Sequence, residues 1–271
     1  MRNNPIGVFD SGLGGLTVVR ELMRALPGED IFYFGDTGRV PYGGRSFETI
    51  ERYAREDENF LLSKNVKYII AACGTVSAVA HQTGKLLPVP FKGVLGPSAE
   101  AAARATQNGK IGVIGTSATI SSGAYARELA KLDSGFEVFE EACPLFVPLV
   151  EAGWIHPDDP VLRLTAERYL KPLMEQNIDT LILGCTHYPI IAGTIGGFCG
   201  SGVTLINSGH AAATSAVSEL CSMQLLRDTR TGGKTRFFVS DITAGFSKVT
   251  AILFGASLAE QIEQINIGEK V

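Results

Sequence analysis

Two cysteines, Cys73 and Cys185, each close a short apolar run and are each followed by small hydrogen-bonding residues. The first lies in KYIIAACGTVSA at 67–78, with Thr75. The second lies in DTLILGCTHYP at 179–189, with Thr186 and His187. In parallel α/β sheets, ligands are handled at the carboxyl ends of strands. One thiol from each half of a chain can grip a substrate from two sides. Such a pair suits removal of a proton from one face of a carbon and delivery to the other, the chemistry of inverting a stereocentre. An unperturbed thiol has a pKa of about 8.5, and a helix N-terminus or a cationic neighbour lowers it. Helices are expected to begin near residues 76 and 188. The other cysteines, Cys143, Cys199 and Cys221, read as small hydrophobes. Cys185 and His187 could form half of a metal site. Zinc needs three or four ligands, however, and the remaining cysteines and histidines form no companion cluster. His187 therefore reads as a titrating neighbour of Cys185.

Two turn-rich segments accompany them. DSGLGGLT at 10–17 is a glycine-rich turn between a strand and a helix, lacking both the dinucleotide spacing and the Walker lysine. It is either a structural turn or a carboxylate site. In the second case Ser11 and the amides of a helix start would favour an anion, and Asp10 would meet a cation or relay a proton. GDTGRVPYGGRS at 35–46 offers donors at Tyr42 and in the Gly43-Gly44 backbone. It is either a rigid surface loop or a segment that closes over a ligand.

The elements that must position these residues alternate along the chain. Apolar runs at 6–10, 31–34, 67–72, 92–95, 111–115, 136–140, 179–184, 203–206 and 235–240 read as strands. Amphipathic stretches at 16–26, 47–64, 98–107, 121–132, 160–176, 209–226 and 246–264 read as helices. This alternation predicts an α/β protein with mostly parallel sheets. IGVFDS at 6–11 echoes IGVIGT at 111–116, and each precedes a helix containing Arg-Glu-Leu. Two related units facing each other would bring Cys73 and Cys185 together across a cleft. With 271 residues and 45% apolar content, the chain can form one large or two modest cores. A net charge of −4 leaves no basic footprint for nucleic acid. The opening MRNNPIGVFD lacks a secretory signal, no apolar run is long enough to span a bilayer, and five scattered cysteines form no disulfide framework. A cytoplasmic protein with reduced thiols is the expectation.

FDSGLGGLTV, GDTGRVPYG, AACGTVSA, LVEAG and GCTHYP occur in this order over residues 9–189, and together they resemble the motifs of bacterial glutamate racemases. GCTHYP discriminates within the superfamily, because the related aspartate racemases resemble GCTE there. The resemblance implies interconversion of L- and D-glutamate without a cofactor or metal, by a two-base mechanism with Cys73 and Cys185 as the acid/base pair. It implies that Asp10 assists the Cys73 side and that His187 and Glu151 assist the Cys185 side. Asp10, Ser11, Tyr42, Gly43, Thr75 and Thr186 fall on family substrate positions, with Thr116 and Thr119 adding hydroxyls from the second half. The implied fold is two pseudo-symmetric parallel-sheet α/β domains, 1–96 plus 209–271 and 97–208, with the active site in the cleft between them. The implied role is to supply D-glutamate for peptidoglycan, with glutamate as the small-molecule partner, neither nucleic acid nor membrane involved, and homodimers common.

Two departures stand out. Many members carry Asn between Cys73 and Thr75, whereas this chain has Gly74, and LINSG at 205–209 has Asn207 where an acidic residue is common. At Gly74 a water or neighbouring polar group is expected to replace the amide, and an introduced Asn to be tolerated. At Asn207 only local hydrogen bonding is expected to change. Two other readings stay open: a racemase of aspartate or another amino acid, and a non-catalytic amino-acid-binding protein that keeps the cleft.

Overall fold

The run IGVFD at residues 6–10 is wholly buried, as expected of a central parallel strand covered by helices on both faces. In the computed structural model, which describes residues 2–79, 86–229, 231–255 and 262–267, it is the first of ten strands. They are β1 (Ile6–Asp10), β2 (Ile31–Gly35), β3 (Tyr68–Ala71), β4 (Phe91–Gly93), β5 (Lys110–Gly115), β6 (Glu137–Ala142), β7 (Thr180–Leu183), β8 (Thr204–Asn207), β9 (Thr235–Val239) and β10 (Ile262–Gln264). All their pairings are parallel. They form two sheets, one in the order β10-β9-β2-β1-β3-β4 and one in the order β6-β5-β7-β8.

The echo between the two halves extends to the sheets. The order β2-β1-β3-β4 matches β6-β5-β7-β8 strand for strand, and Cys73 and Cys185 follow the equivalent strands β3 and β7. The first sheet is enlarged by β9, which pairs with β2 in the register Ile31 to Thr235, and by β10.

The helices among the described residues are α1 (Leu16–Ala25), α2 (Phe47–Ser63), α3 (Gly74–Val79), α4 (Leu95–Ala105), α5 (Ser117–Ser121), α6 (Ala124–Leu132), α7 (Phe146–Ala152), α8 (Pro160–Met174), α9 (Ala192–Cys199), α10 (Ser208–Ser222) and α11 (Ala244–Phe254). In one core cluster, Leu16, Val18, Val19 and Leu22 of α1 pack with Ala212, Ala213, Ala216 and Leu220 of α10. Each fully buried Leu or Val there contributes about 1.5–3 kcal/mol. Asn207 caps α10, its side chain accepting from the amides of Gly209 (2.9 Å) and His210 (3.2 Å). This is a helix-capping role.

Three differences from the sequence reading have local causes. The helix expected over 121–132 is divided at Gly123, which has φ 60°. The helix expected over 246–264 ends at Phe254. Gly255, with φ 86°, turns the chain out of the helix, and Ile262–Gln264 adds a strand to β9 instead; residues 256–261 lie outside the described set. The short helix α7 was not expected, since Pro148 weakens its propensity signal; α3 begins at Gly74, close to the start expected near 76, and the start expected near 188 is a 3-10 turn, Tyr188–Ile191, that leads into α9. Among the described residues, no helix is long and apolar enough to cross a membrane.

Candidate active site

Four strand ends, the loop after β2 and helix α7 meet around one cavity of about 360 Å³. β1 runs into Asp10 and Ser11, β3 into Cys73 and the start of α3, β5 into Thr116, and β7 into Gly184, Cys185, Thr186 and His187. The loop after β2 supplies Tyr42, Gly43 and Gly44, and α7 supplies Glu151. Of the residues singled out in the sequence, Ser11, Tyr42, Gly43, Cys73, Gly74, Thr75, Thr116, Thr119, Glu151, Cys185, Thr186 and His187 line this cavity. Asp10 is the exception, fully buried beneath it.

On the first side, the Cys73 sulfur lies 3.3 Å from the Ser11 hydroxyl. Burial and then the nearby Asp10 push the Cys73 thiol up to about 12, against the opposing pull of the Ser11 hydrogen bond. A neutral thiol at this sulfur is therefore the resting form at neutral pH. Asp10 itself accepts from the Gly12 amide (3.1 Å) and, across the two halves, from the Thr186 hydroxyl (3.5 Å). The side chain bonded to Cys73 is thus Ser11. Asp10 acts on the sulfur through its field. Burial raises the carboxyl of Asp10, while the charge of His187 and the amides of Gly15 and Gly12 work in the opposite direction.

On the second side, Cys185 Sγ, His187 and Glu151 form a chain: 3.7 Å from sulfur to Nδ1, then 3.2 Å from Nε2 to a Glu151 carboxyl oxygen. Burial opposes charge on the imidazole, but the bonds to Cys185 and Glu151 outweigh it and raise His187 to about 10. The ring is therefore an imidazolium at neutral pH, and a cation beside a sulfur compensates negative charge on it. The two sulfurs are held unlike: one beside a hydroxyl and a buried carboxyl, the other beside a cation.

The same cavity is lined by a triad of hydroxyls. Thr75 and Thr116 are 2.9 Å apart, Thr116 and Thr119 2.9 Å, and Thr75 and Thr119 3.4 Å. Thr116 also caps α5 through the Thr119 amide. Hydroxyls both donate and accept, so the triad can turn its protons toward a bound carboxylate. No Lys or Arg is among the residues lining the cavity.

Two expectations change on this geometry. Tyr42 is among the residues lining the cavity, but its hydroxyl is engaged elsewhere and donates to the carboxyl of Asp36. A side-chain donor for the ligand is absent there, and the neighbouring backbone remains. At Gly74, an added Cβ would overlap the carbonyl oxygen of Gly184, so the position has no room for the Asn expected to be tolerated. Its nearest polar side-chain atom is the Thr119 hydroxyl, 3.7 Å from where that Cβ would be. In the glycine-rich turn, a Cβ at Gly14 would collide with the Thr186 hydroxyl and lie 2.6 Å from His187 Nδ1. That glycine lets the first unit's turn pack directly under the second unit's Cys-Thr-His segment.

Residues 6–216 match the model of the Asp/Glu/Hydantoin racemase family. The chain belongs to that family. It is 46% identical over 256 residues, 94% of each chain, to the glutamate racemase of Geobacter metallireducens. A glutamate racemase isoform from Bacillus anthracis has the same fold, with a TM-score of 0.91 at 37% identity over 100% of both chains. The Francisella tularensis glutamate racemase, solved in complex with D-glutamate, matches with a TM-score of 0.90 at 38% identity, again over 100% of both chains.

Against that family background, the cavity's apolar wall of Val40, Pro41, Pro144, Val147 and Pro148 went unread in the sequence. A signal existed in LFVPLVEAG, where a short apolar run leads to Glu151. Asp36, Arg39 and Asp57, which gather behind Tyr42, gave none, because they are scattered through loop and helix.

Proposed function

We propose that this chain interconverts L- and D-glutamate by a two-base mechanism without a cofactor. The observation that carries the reading is the presence of Cys73 and Cys185 at the ends of equivalent strands, β3 and β7, in one cavity. The identity to glutamate racemases along nearly the whole chain supports glutamate as the substrate. One sulfur, as thiolate, takes the α-proton and leaves a carbanion; the other, as thiol, gives a proton to the opposite face. The product is the mirror image, and the two sulfurs have exchanged protonation states. The two carboxylates of glutamate meet neutral donors here, chiefly Ser11, the threonine triad, Thr186 and the Gly43 backbone, while its ammonium donates to hydroxyl oxygens of the same set. Interactions that strengthen only as charge develops at the α-carbon would speed the step, whereas fixed cations there would mainly tighten binding. His187, tied to Glu151, serves the Cys185 side; Asp10 and Ser11 serve the Cys73 side.

The same reading assigns residues 1–96 plus 209–271 to one domain and 97–208 to the other, with the sheets as their cores. It places the protein in the cytoplasm, as a homodimer supplying D-glutamate for peptidoglycan. The test is circular dichroism of the purified chain given L-glutamate, and separately L-aspartate, with no cofactor added. Decay of the L-glutamate signal to zero is expected. Decay with aspartate alone would assign a different substrate, and no decay with either would point to a binding protein.

A further inference from the structure

The hydroxyl of Tyr42 points away from the cavity into a buried ionic cluster that has no part in the proposed chemistry. Asp36 begins the loop after β2, and its amide donates to the carbonyl of Asp10 (3.0 Å), so the loop starts at the floor of the site. One carboxyl oxygen of Asp36 accepts from the Tyr42 hydroxyl and from Arg39 Nε (2.6 Å); the other accepts from the Ser240 hydroxyl (2.8 Å). Asp57, fully buried on α2, faces the same two partners: Arg39 Nη2 at 3.2 Å and the Tyr42 hydroxyl at 3.4 Å. Arg39 is completed by an ion pair with Glu56 and lies over the Tyr53 ring, 4.1 Å from its centroid. Burial, and then the neighbouring Asp36, drive the Asp57 carboxyl well above the usual range, against the opposing pull of Arg39.

On its other face, the same loop meets the opposite half of the site. Gly43 backs onto Thr116, whose Cβ would lie 3.1 Å from a side chain at 43, and the 40–44 backbone lines the cavity. The loop is thus held from behind by a fully partnered cluster, and its front faces the ligand. A surface loop ordinarily has no reason to bury two carboxyls and a guanidinium, since such pairs gain little over apolar packing. Fixing one loop geometry is what they do gain.

We infer that Asp36, braced by Arg39 and Asp57 and linked through the Tyr42 hydroxyl, is a positioning residue that sets the ligand-facing backbone of residues 41–44. The inference rests on the racemase reading for its kinetic consequence. On that reading the loop backbone holds a carboxylate and not the reacting carbon, so its contacts are alike in ground and transition states. Losing them raises KM more than it lowers kcat.

The experiment compares Asp36→Asn and Tyr42→Phe with the wild type. Hydrogen exchange of the peptide covering 39–46 is read by mass spectrometry, and kcat and KM for glutamate by circular dichroism. A control, Glu29→Gln, weakens the buried Lys67–Glu29 pair, whose residues lie outside the cavity lining. Exchange over 39–46 should rise at least ten-fold in both cluster variants, and KM at least five-fold, with a smaller change in kcat. The control should lower the melting temperature and leave both readouts within two-fold. Unchanged exchange in the cluster variants, or a KM shift no larger than the control's, would overturn the inference. If Asp36→Asn does not fold, Tyr42→Phe carries the same test. If the wild type leaves glutamate unaltered, the racemase reading fails by itself and exchange alone decides the role of the cluster.

Discussion

Gly74 and Gly184 touch backbone to backbone where the two halves of the site meet: a Cβ on Gly74 would overlap the Gly184 carbonyl oxygen. Each glycine is next to one of the two cysteines. Their contact therefore sets how closely the strand ends that carry Cys73 and Cys185 approach.

Substitution at 74 should be costly for this reason. Overpacking a well-filled site costs about 1–3 kcal/mol, which is a factor of about 5–150. Because the obstacle is backbone, it relaxes only if the strand ends separate. Gly74→Ala and Gly74→Asn should each lower kcat/KM by about ten-fold or more, with the melting temperature reduced only modestly. Wild-type kcat/KM in Gly74→Ala would show that the two ends part freely.

The two thiols should be individually indispensable. Cys73→Ala and Cys185→Ala should each abolish racemisation while leaving the circular-dichroism spectrum of the fold intact. In deuterated water, the wild type should place solvent deuterium at the α-carbon of product. Residual turnover above a few per cent in Cys185→Ala would sink the two-thiol mechanism.

His187 links pH to stability. Its pKa is raised in the folded state from 6.5 to about 10. A basic group raised on folding contributes stability that is fully present below its unfolded pKa and is lost as pH rises through its folded value. The wild type should therefore lose melting temperature between about pH 6.5 and pH 10, and His187→Asn should lose less over the same interval. Parallel curves for the two proteins would remove the charged imidazole from this account. Because the proton on His187 also compensates charge on Cys185, activity should fall on the alkaline side in the same window.

Cys73 should resist alkylation. With its thiol pushed up to about 12, the thiolate fraction at pH 8 is on the order of 1 in 10⁴, against about a quarter for an unperturbed thiol. Iodoacetamide at pH 8, followed by peptide mass spectrometry, should modify Cys73 far more slowly than a free thiol in the same solution. The rate should climb steadily toward pH 11. Modification of Cys73 at the free-thiol rate at pH 8 would contradict the buried, protonated sulfur.

The sequence by itself determined the α/β architecture, because apolar runs and amphipathic stretches report burial one element at a time. It also determined that Cys73, Cys185, Asp10 and Thr116 lie at strand ends, and the motif echo already pointed to two related units. The partners of those residues were decided elsewhere. That Ser11 meets Cys73, that Asp10 bonds across to Thr186, and that Gly74 has no room for a side chain all depend on how the strand ends are set against each other. So does the turning of the Tyr42 hydroxyl toward Asp36, which needs α2 to bring Asp57 and β9 to bring Ser240 to the same loop. Periodicity encodes which face of an element is buried and carries no information about which residue, far away in the chain, will lie opposite. That choice is made by packing, through contacts of a few ångströms between segments that share no local sequence signal.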